Sequence, residues 1–544
     1  MTLTLSFKDV LDKPEWRPLA PCTVTHAAAM CLASDLRNEA ARRNPYLYKL
    51  SSTTVIEKYL KEADDWIPKT YAALTTGAIS AGANMLFVPT HGPAGTVGGS
   101  PTTTSFTLAA LPFSATVQPN QLANCGDGDG FMIRVIGKTA GKVEVREIVG
   151  NTSGATPIVY LDSALTFTPA LTDTYEIISG RLYVLGAGAT TAAGYFRCVD
   201  IATDAVSGNL AVTNLAAAIA TDSDAVSLDE QYVPHNRKPG EGFVDNGSTY
   251  DSAAFKCIAA KAGGSATTIV ADLSTGGNAT SLIADEYKNF CQIRIVEDTV
   301  APTAVGQRRR ITTHTAGASA TFTVATWTVN PSSSAKFVIE LANDSIWFTN
   351  GATVTYTYMA GGFAADGTWS TAAAAGTGGA MQIANPPTAA GAGTMAVSCF
   401  SIEPDADHNV RQGHLIRFRG VATNVVEQLD LTSGSTGAWT TITPHSMPNA
   451  TIGAGSSGVH SASVQSGRYF YFIPTVAAPS RCYRLDLLCR VVEPFAYFRY
   501  GQTGTAVVGN RMAVGIHQDG TSKLGFVYLL RHLATELFDV VISR

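Results

Sequence analysis

About six times along this chain the same order of residues returns: a strand-length apolar run, a turn, a second run bearing an aromatic, another turn, and an aromatic that opens a third run. Residues 44–70, NPYLYKLSSTTVIEKYLKEADDWIPKT, place Tyr59 in the second run and Trp66 at the head of the third. Residues 344–372, DSIWFTNGATVTYTYMAGGFAADGTWSTA, repeat that order; 413–441, GHLIRFRGVATNVVEQLDLTSGSTGAWTT, return it with Trp439 heading the third run, and 179–208 give an apolar run ending in glycines, a second run with an aromatic, then DIAT. Residues 466–495 and 509–540 follow it less strictly. A unit this small cannot bury its apolar face alone, so copies in series must stack on one another. That requirement directs the chain to a repetitive all-β architecture.

Composition supports this. Of 544 residues 45% are hydrophobic and only 15% charged, which is enough apolar surface for a sizeable core. The 50 glycines help to punctuate β-branched and aromatic runs such as RLYVLGAG, AKFVIE and RYFYFIPTV, the pattern of short strands ended by turns. Helical spacing is strong in one place, THAAAMCLASDLRNEAARRN at 25–44, where Ala28, Cys31, Leu32 and Leu36 share a face and Asn44-Pro45 stops the helix. Residues 212–222 carry a weaker helical pattern. The expected fold is all-β with a short helical N-terminal segment, residues 1–44. That segment is expected to lie against the rest of the fold or a neighbouring subunit, and the C-terminal run ELFDVVISR to pair with a strand near residues 46–60.

Two interruptions separate the first three units, and each carries the same second pattern. FMIRVIG at 131–137 aligns with CQIRIVE at 291–297, NTSGA at 151–155 with HTAGA at 314–318, and Pro169 before Tyr175-Glu176-Ile177 with Pro331 before Phe337-Val338-Ile339. A small β-module is therefore duplicated and inserted twice, where connection length costs little free energy. The six-fold order resembles kelch-type repeats, and this resemblance implies a β-propeller of about six blades. The modules resemble the small β-domains of tailed-bacteriophage tail and appendage proteins: the second matches at Gly306, Gln307, Arg309, Ile311, Trp327, Pro331 and Ile339. The first departs from it, with Lys142-Val143-Glu144 in place of the Gly-Gln step and Phe167 in place of the Trp. The expected organisation is residues 1–44 helical, 45–100 a first blade, 101–178 the first module, 179–250 a blade, 251–340 the second module, and 341–544 the remaining blades.

Few features point to chemistry. Nine widely spaced cysteines form no metal-ligand spacing and fit reduced thiols. The formal charge of −5 argues against a general nucleic-acid binder. The first residues, MTLTLSFKDVLDKPEWRPL, lack the pattern of a secretory signal, and no apolar run is long enough for a spanning helix. GDGDG at 126–130 has too few oxygen ligands for a calcium loop and reads as a turn. EPDADHNVRQGH at 403–414 gathers Glu403, Asp405, Asp407, His408 and His414, as a polar loop does. Arg308-Arg309-Arg310 lie on a strand, where alternation puts only two on one face.

No catalytic fingerprint of the hydrolase, P-loop, zincin or dinucleotide type occurs, so neither an enzyme nor a cofactor is expected. The phage resemblance implies a structural virion component, a tail protein at a nozzle, hub, collar or fibre-attachment position, made in the host cytoplasm. Its partners would be other tail or connector proteins and copies of itself in a ring, with Arg308, Arg309, Arg310, Trp327 and Pro331 as candidate interaction residues. Two alternatives stand beside it: a host-receptor or glycan-binding module with possible hydrolytic activity, and a capsid decoration protein.

Overall fold

A computed structural model describes residues 16–22, 29–33, 46–52, 54–60, 63–74, 84–88, 91–124, 130–185, 196–207, 210, 224–227, 258–273, 284–285, 287–341, 346–349, 355–361, 365–369, 384–388, 395–399, 414–420, 423–445, 452, 456–460, 468–474, 481–487, 489–497, 511–519, 522–530 and 537–542. These residues are all-β: 35 strands, with only three-residue 3-10 turns at 72–74, 112–114 and 302–304. The weak helical pattern at 212–222 and the acidic cluster at 403–413 lie outside the described residues, as do residues 126–129 of the glycine-rich loop.

The chain opens with β1 (Arg17–Pro18) and then builds a first sheet in order β2 (Ala29–Ala33), β3 (Tyr46–Leu50), β4 (Val55–Leu60), β5 (Asp65–Thr70). The second sheet begins with β6 (Asn84–Val88), whose neighbour in the sheet comes from far along the chain. Between them lie β7 (Ala94–Gly98), β8 (Ser105–Ala109), β9 (Met132–Gly137), β10 (Lys142–Asn151), β11 (Ile158–Leu161) and β12 (Thr174–Ile178). The sheet resumes at β13 (Arg181–Leu185) and β14 (Phe196–Asp200), beside which Ser207 N donates to Cys198 O and Leu210 N to Phe196 O.

The third sheet repeats this plan. After β15 (Asp224–Ser227) come β16 (Ile258–Ser265), β17 (Thr268–Asp272), β18 (Cys291–Glu297), β19 (Arg308–His314), β20 (Thr321–Val324) and β21 (Lys336–Leu341), before β22 (Ile346–Thr349), β23 (Thr355–Gly361) and β24 (Ala365–Trp369) complete the sheet. The fourth and fifth sheets are uninterrupted: β25 (Met395–Cys399), β26 (His414–Phe418), β27 (Val426–Asp430), β28 (Ala438–Ile442), then β29 (Ser457–His460), β30 (Tyr469–Ile473), β31 (Arg481–Asp486), β32 (Val492–Tyr497). The last holds β33 (Arg511–Asp519), β34 (Ser522–Leu530) and β35 (Leu537–Ile542), with β1 as its fourth strand.

The first strands of the six sheets pack in a closed sequence, β2 on β6, β6 on β15, β15 on β25, β25 on β29, β29 on β33, and β33 back on β2. Each expected repeat thus covers all or most of one sheet, but five of the six omit the first strand. The reason is visible in AMCLA, NMLFV and MAVSC: a short unbroken apolar run lacks alternation and cannot be told from a piece of buried helix. The same ambiguity corrects the N-terminal expectation. Ala29–Ala33, inside the expected helix, is a strand registered antiparallel to Tyr46–Leu50, so a ladder partner overrides local helix propensity. The expected C-terminal pairing also changes. β35 pairs with Arg17–Pro18 and not with 46–60, because β3 is already flanked by β2 and β4.

Two sheets share a buried polar repeat. In the first, Lys49 Nζ meets Glu57 Oε2 at 2.7 Å directly across β3 and β4, with the Trp66 ring centroid 5.9 Å away. In the fourth, Arg417 Nε donates to Glu427 Oε2 at 3.0 Å across β26 and β27, with its guanidinium 5.4 Å from the Trp439 ring centroid. Each indole nitrogen then donates to a carbonyl of the segment leading into the sheet, Trp66 to Ala20 at 2.9 Å and Trp439 to Ala384 at 2.7 Å.

The two insertions are closed six-stranded barrels of one topology. In the first, hydrogen bonding runs β7-β8-β11-β10-β9-β12 and returns to β7; in the second it runs β16-β17-β20-β19-β18-β21 and returns to β16. Their strands span 94–178 and 258–341, where 101–178 and 251–340 were expected. Each enters between the first and second strands of its sheet and not after a finished blade. Because those two sheets are neighbours, the barrels emerge side by side.

Candidate functional site

The barrels meet along the paired motifs that reveal the duplication. In MIRVIG and QIRIVE alternation sends Ile133 and Val135, and Ile293 and Ile295, into the barrel interiors. The opposite faces, Met132-Arg134-Ile136 and Gln292-Arg294-Val296, are also buried, because each turns toward the other barrel. Asp298 N donates to Gly141 O at 2.8 Å across this junction. At Gly306, with φ of 82°, a Cβ would lie 2.5 Å from Ile136 Cγ2, so the close approach depends on glycine.

Buried charge concentrates here. Glu176 stands opposite Arg134 in the β9–β12 register and accepts from Arg134 Nη1 at 2.6 Å and, across the junction, from Arg294 Nη1 at 3.1 Å. Arg308 Nη2 approaches the other Glu176 oxygen at 3.6 Å. Arg294 also pairs with Glu340 at 3.0 Å, and Gln292 Nε2 donates to the same carboxylate at 2.8 Å. Burial alone would raise the Glu176 carboxyl, but Arg294, Arg308 and Arg134 outweigh it and hold the group well below the usual carboxylate range. Glu340 is likewise lowered against burial, mainly by Arg294 and Arg134. Both carboxylates stay ionised at neutral pH, and arginine does not release its proton, so the cluster is built to hold two bodies in register rather than to move a proton.

Of the sequence-predicted residues, Arg308 joins this cluster. Arg309, on the opposite face, donates to Thr326 O at 2.9 Å and Thr328 Oγ1 at 2.9 Å, with its guanidinium 5.6 Å from the ring centroid of buried Trp327. Arg310 shares the Arg308 face, registered against Gln292, and is half-buried, as is Pro331. Arg146 does for barrel 1 what Arg309 does for barrel 2, reaching Ala164 O at 3.1 Å from the register position opposite Ile133. Sequence reasoning missed Arg134, Arg294, Glu176 and Glu340. The signal was present as one arginine at the same place in two aligned strands.

His314 Nε2 accepts from Tyr287 N at 3.1 Å, and burial lowers its pKa. Cys22, Cys198, Cys291 and Cys482 are buried, and Cys489 is exposed. Among the described residues no group of three or more His, Cys, Asp or Glu side chains is placed to hold a metal ion, and no helix is long and apolar enough to cross a membrane. No protein-family model matches the chain, and a search of curated proteins finds no match.

Proposed function

We propose that the chain is a non-enzymatic structural component of a bacteriophage tail, acting through protein–protein contacts in a symmetric ring, with its six sheets as the blades of a kelch-like β-propeller. The observation that carries this reading is the twin barrel, whose sequence resembles β-domains of phage tail and appendage proteins and whose two copies are locked together by buried ion pairs. The order in which the six first strands pack supports the propeller, and the strand β1 at the edge of the last sheet supports closure by the N-terminal segment. Rigid display of a paired module from one side of such a body suits assembly contacts with connector and tail proteins better than turnover.

Quantitative mass spectrometry of purified virions tests the reading. A tail part gives a small symmetric copy number. A capsid decoration gives hundreds of copies, and a chain absent from virions or turning over a glycan overturns the proposal.

A further inference from the structure

Because the two barrels share one topology and one register, each is a control for the other, position by position. In barrel 1 a bulge falls between Ile148 and Gly150 of β10, opposite Leu161 and Tyr160 of β11. In barrel 2 it falls between Ile311 and Thr313 of β19, opposite Val324 and Thr323 of β20. Val149 therefore corresponds to Thr312, Ile158 to Thr321, and Tyr160 to Thr323. Barrel 2 carries threonine at all three places, an ordinary solvated β-face. Barrel 1 carries large apolar side chains that remain 55%, 38% and 46% exposed. Gly150 accentuates the difference: a Cβ there would sit 3.4 Å from Tyr160 Cδ2, so the ring lies over bare backbone. The barrel fold does not demand this apolar surface, since its twin is built without it.

We propose that this face of barrel 1 is a contact through which the chain binds a second copy of itself. The proposal rests on the ring reading above and names its interface. Area decides the occupant. At roughly half exposure three such side chains offer on the order of 250 Å², well below the ~800 Å² that each partner of a stable complex contributes. A foreign partner seated here alone would be held weakly. A copy within a closed ring is held here and at every other contact the symmetry repeats, so a small patch is sufficient.

The twin barrel supplies the test. The triple substitution Val149→Thr, Ile158→Thr, Tyr160→Thr installs the residues that barrel 2 already folds with, so the full-length variant keeps its melting transition. Sedimentation velocity across a concentration series should show an oligomer for the parent chain, and for the variant at least about a tenfold rise in the apparent dissociation constant. An oligomer that the triple substitution leaves unchanged overturns the assignment of this face alone. A parent chain that stays monomeric throughout overturns both this proposal and the ring reading, and leaves the patch to another kind of partner.

Discussion

Single residues carry the strongest energetic statements. Arg417 is wholly buried, and Glu427 balances its charge. Glu427→Gln leaves that charge uncompensated and should cost about 3–5 kcal/mol, whereas replacing both partners by apolar residues of similar volume should cost far less. Urea unfolding of the single and double variants checks this; equal losses would mean that the pair is not coupled. Glu176 makes a prediction about acid. Its folded pKa lies below the unfolded one, so its stabilisation is complete above the ordinary carboxylate value of 4.5 and is lost as pH falls below it. Between about pH 4.5 and 2 the melting temperature of Glu176→Gln should therefore fall less steeply than that of the parent chain. Parallel slopes in differential scanning calorimetry would show that the cluster does not couple to folding.

At the scale of elements, the segment carrying β1 is short but ties three sheets together. Trp16 packs with Tyr471, Phe495 and Val527, while Cys22 packs with Leu47, Trp66 and Leu537, so residues 16–22 contact the first sheet and the last two. Trp16→Ala should lower stability by about 3–5 kcal/mol, the range for truncating a large buried aromatic. Denaturant melts would contradict the closing role if the loss stayed below about 1 kcal/mol. Removing residues 537–544 should do similar damage, since β35 supplies the ladder partner of both β1 and β34. Outer and second strands were legible in the sequence because they alternate, turn on Gly or Asn, and carry Tyr and Trp. The first strands were not, as Asn84–Val88 shows: burial on both faces erases the alternation that marks a strand.

For the whole molecule, the insertion points suggest a dissection. Val88 and Arg181 are direct ladder partners, as are Ser227 and Ile346, so a two-residue Asn-Gly hairpin could close either sheet after its barrel is removed. Removing both barrels should leave a soluble set of six sheets. Removing only barrel 2 should be worse, because Met132, Arg134 and Ile136 lose their cover and present a partly apolar face to solvent, while Glu176 keeps only Arg134 as its partner. Soluble yield and circular dichroism of the two deletions decide this; a single deletion as soluble as the double one would show that the junction is weak.

The amino-acid sequence determined that the described parts are strands, that about six similar units follow one another, and that one β-module occurs twice with its registers aligned at Arg134 and Arg294. These are properties of local alternation and self-similarity, and the sequence carries them without knowledge of the fold. Tertiary structure decided what the motifs are for. Arg308 faces a carboxylate on the other barrel, 132 residues earlier in the chain at Glu176, and Ala29–Ala33 becomes a strand because Tyr46–Leu50 offers it a ladder. Both outcomes depend on which distant groups arrive alongside, a matter of long-range pairing on which local propensity is silent.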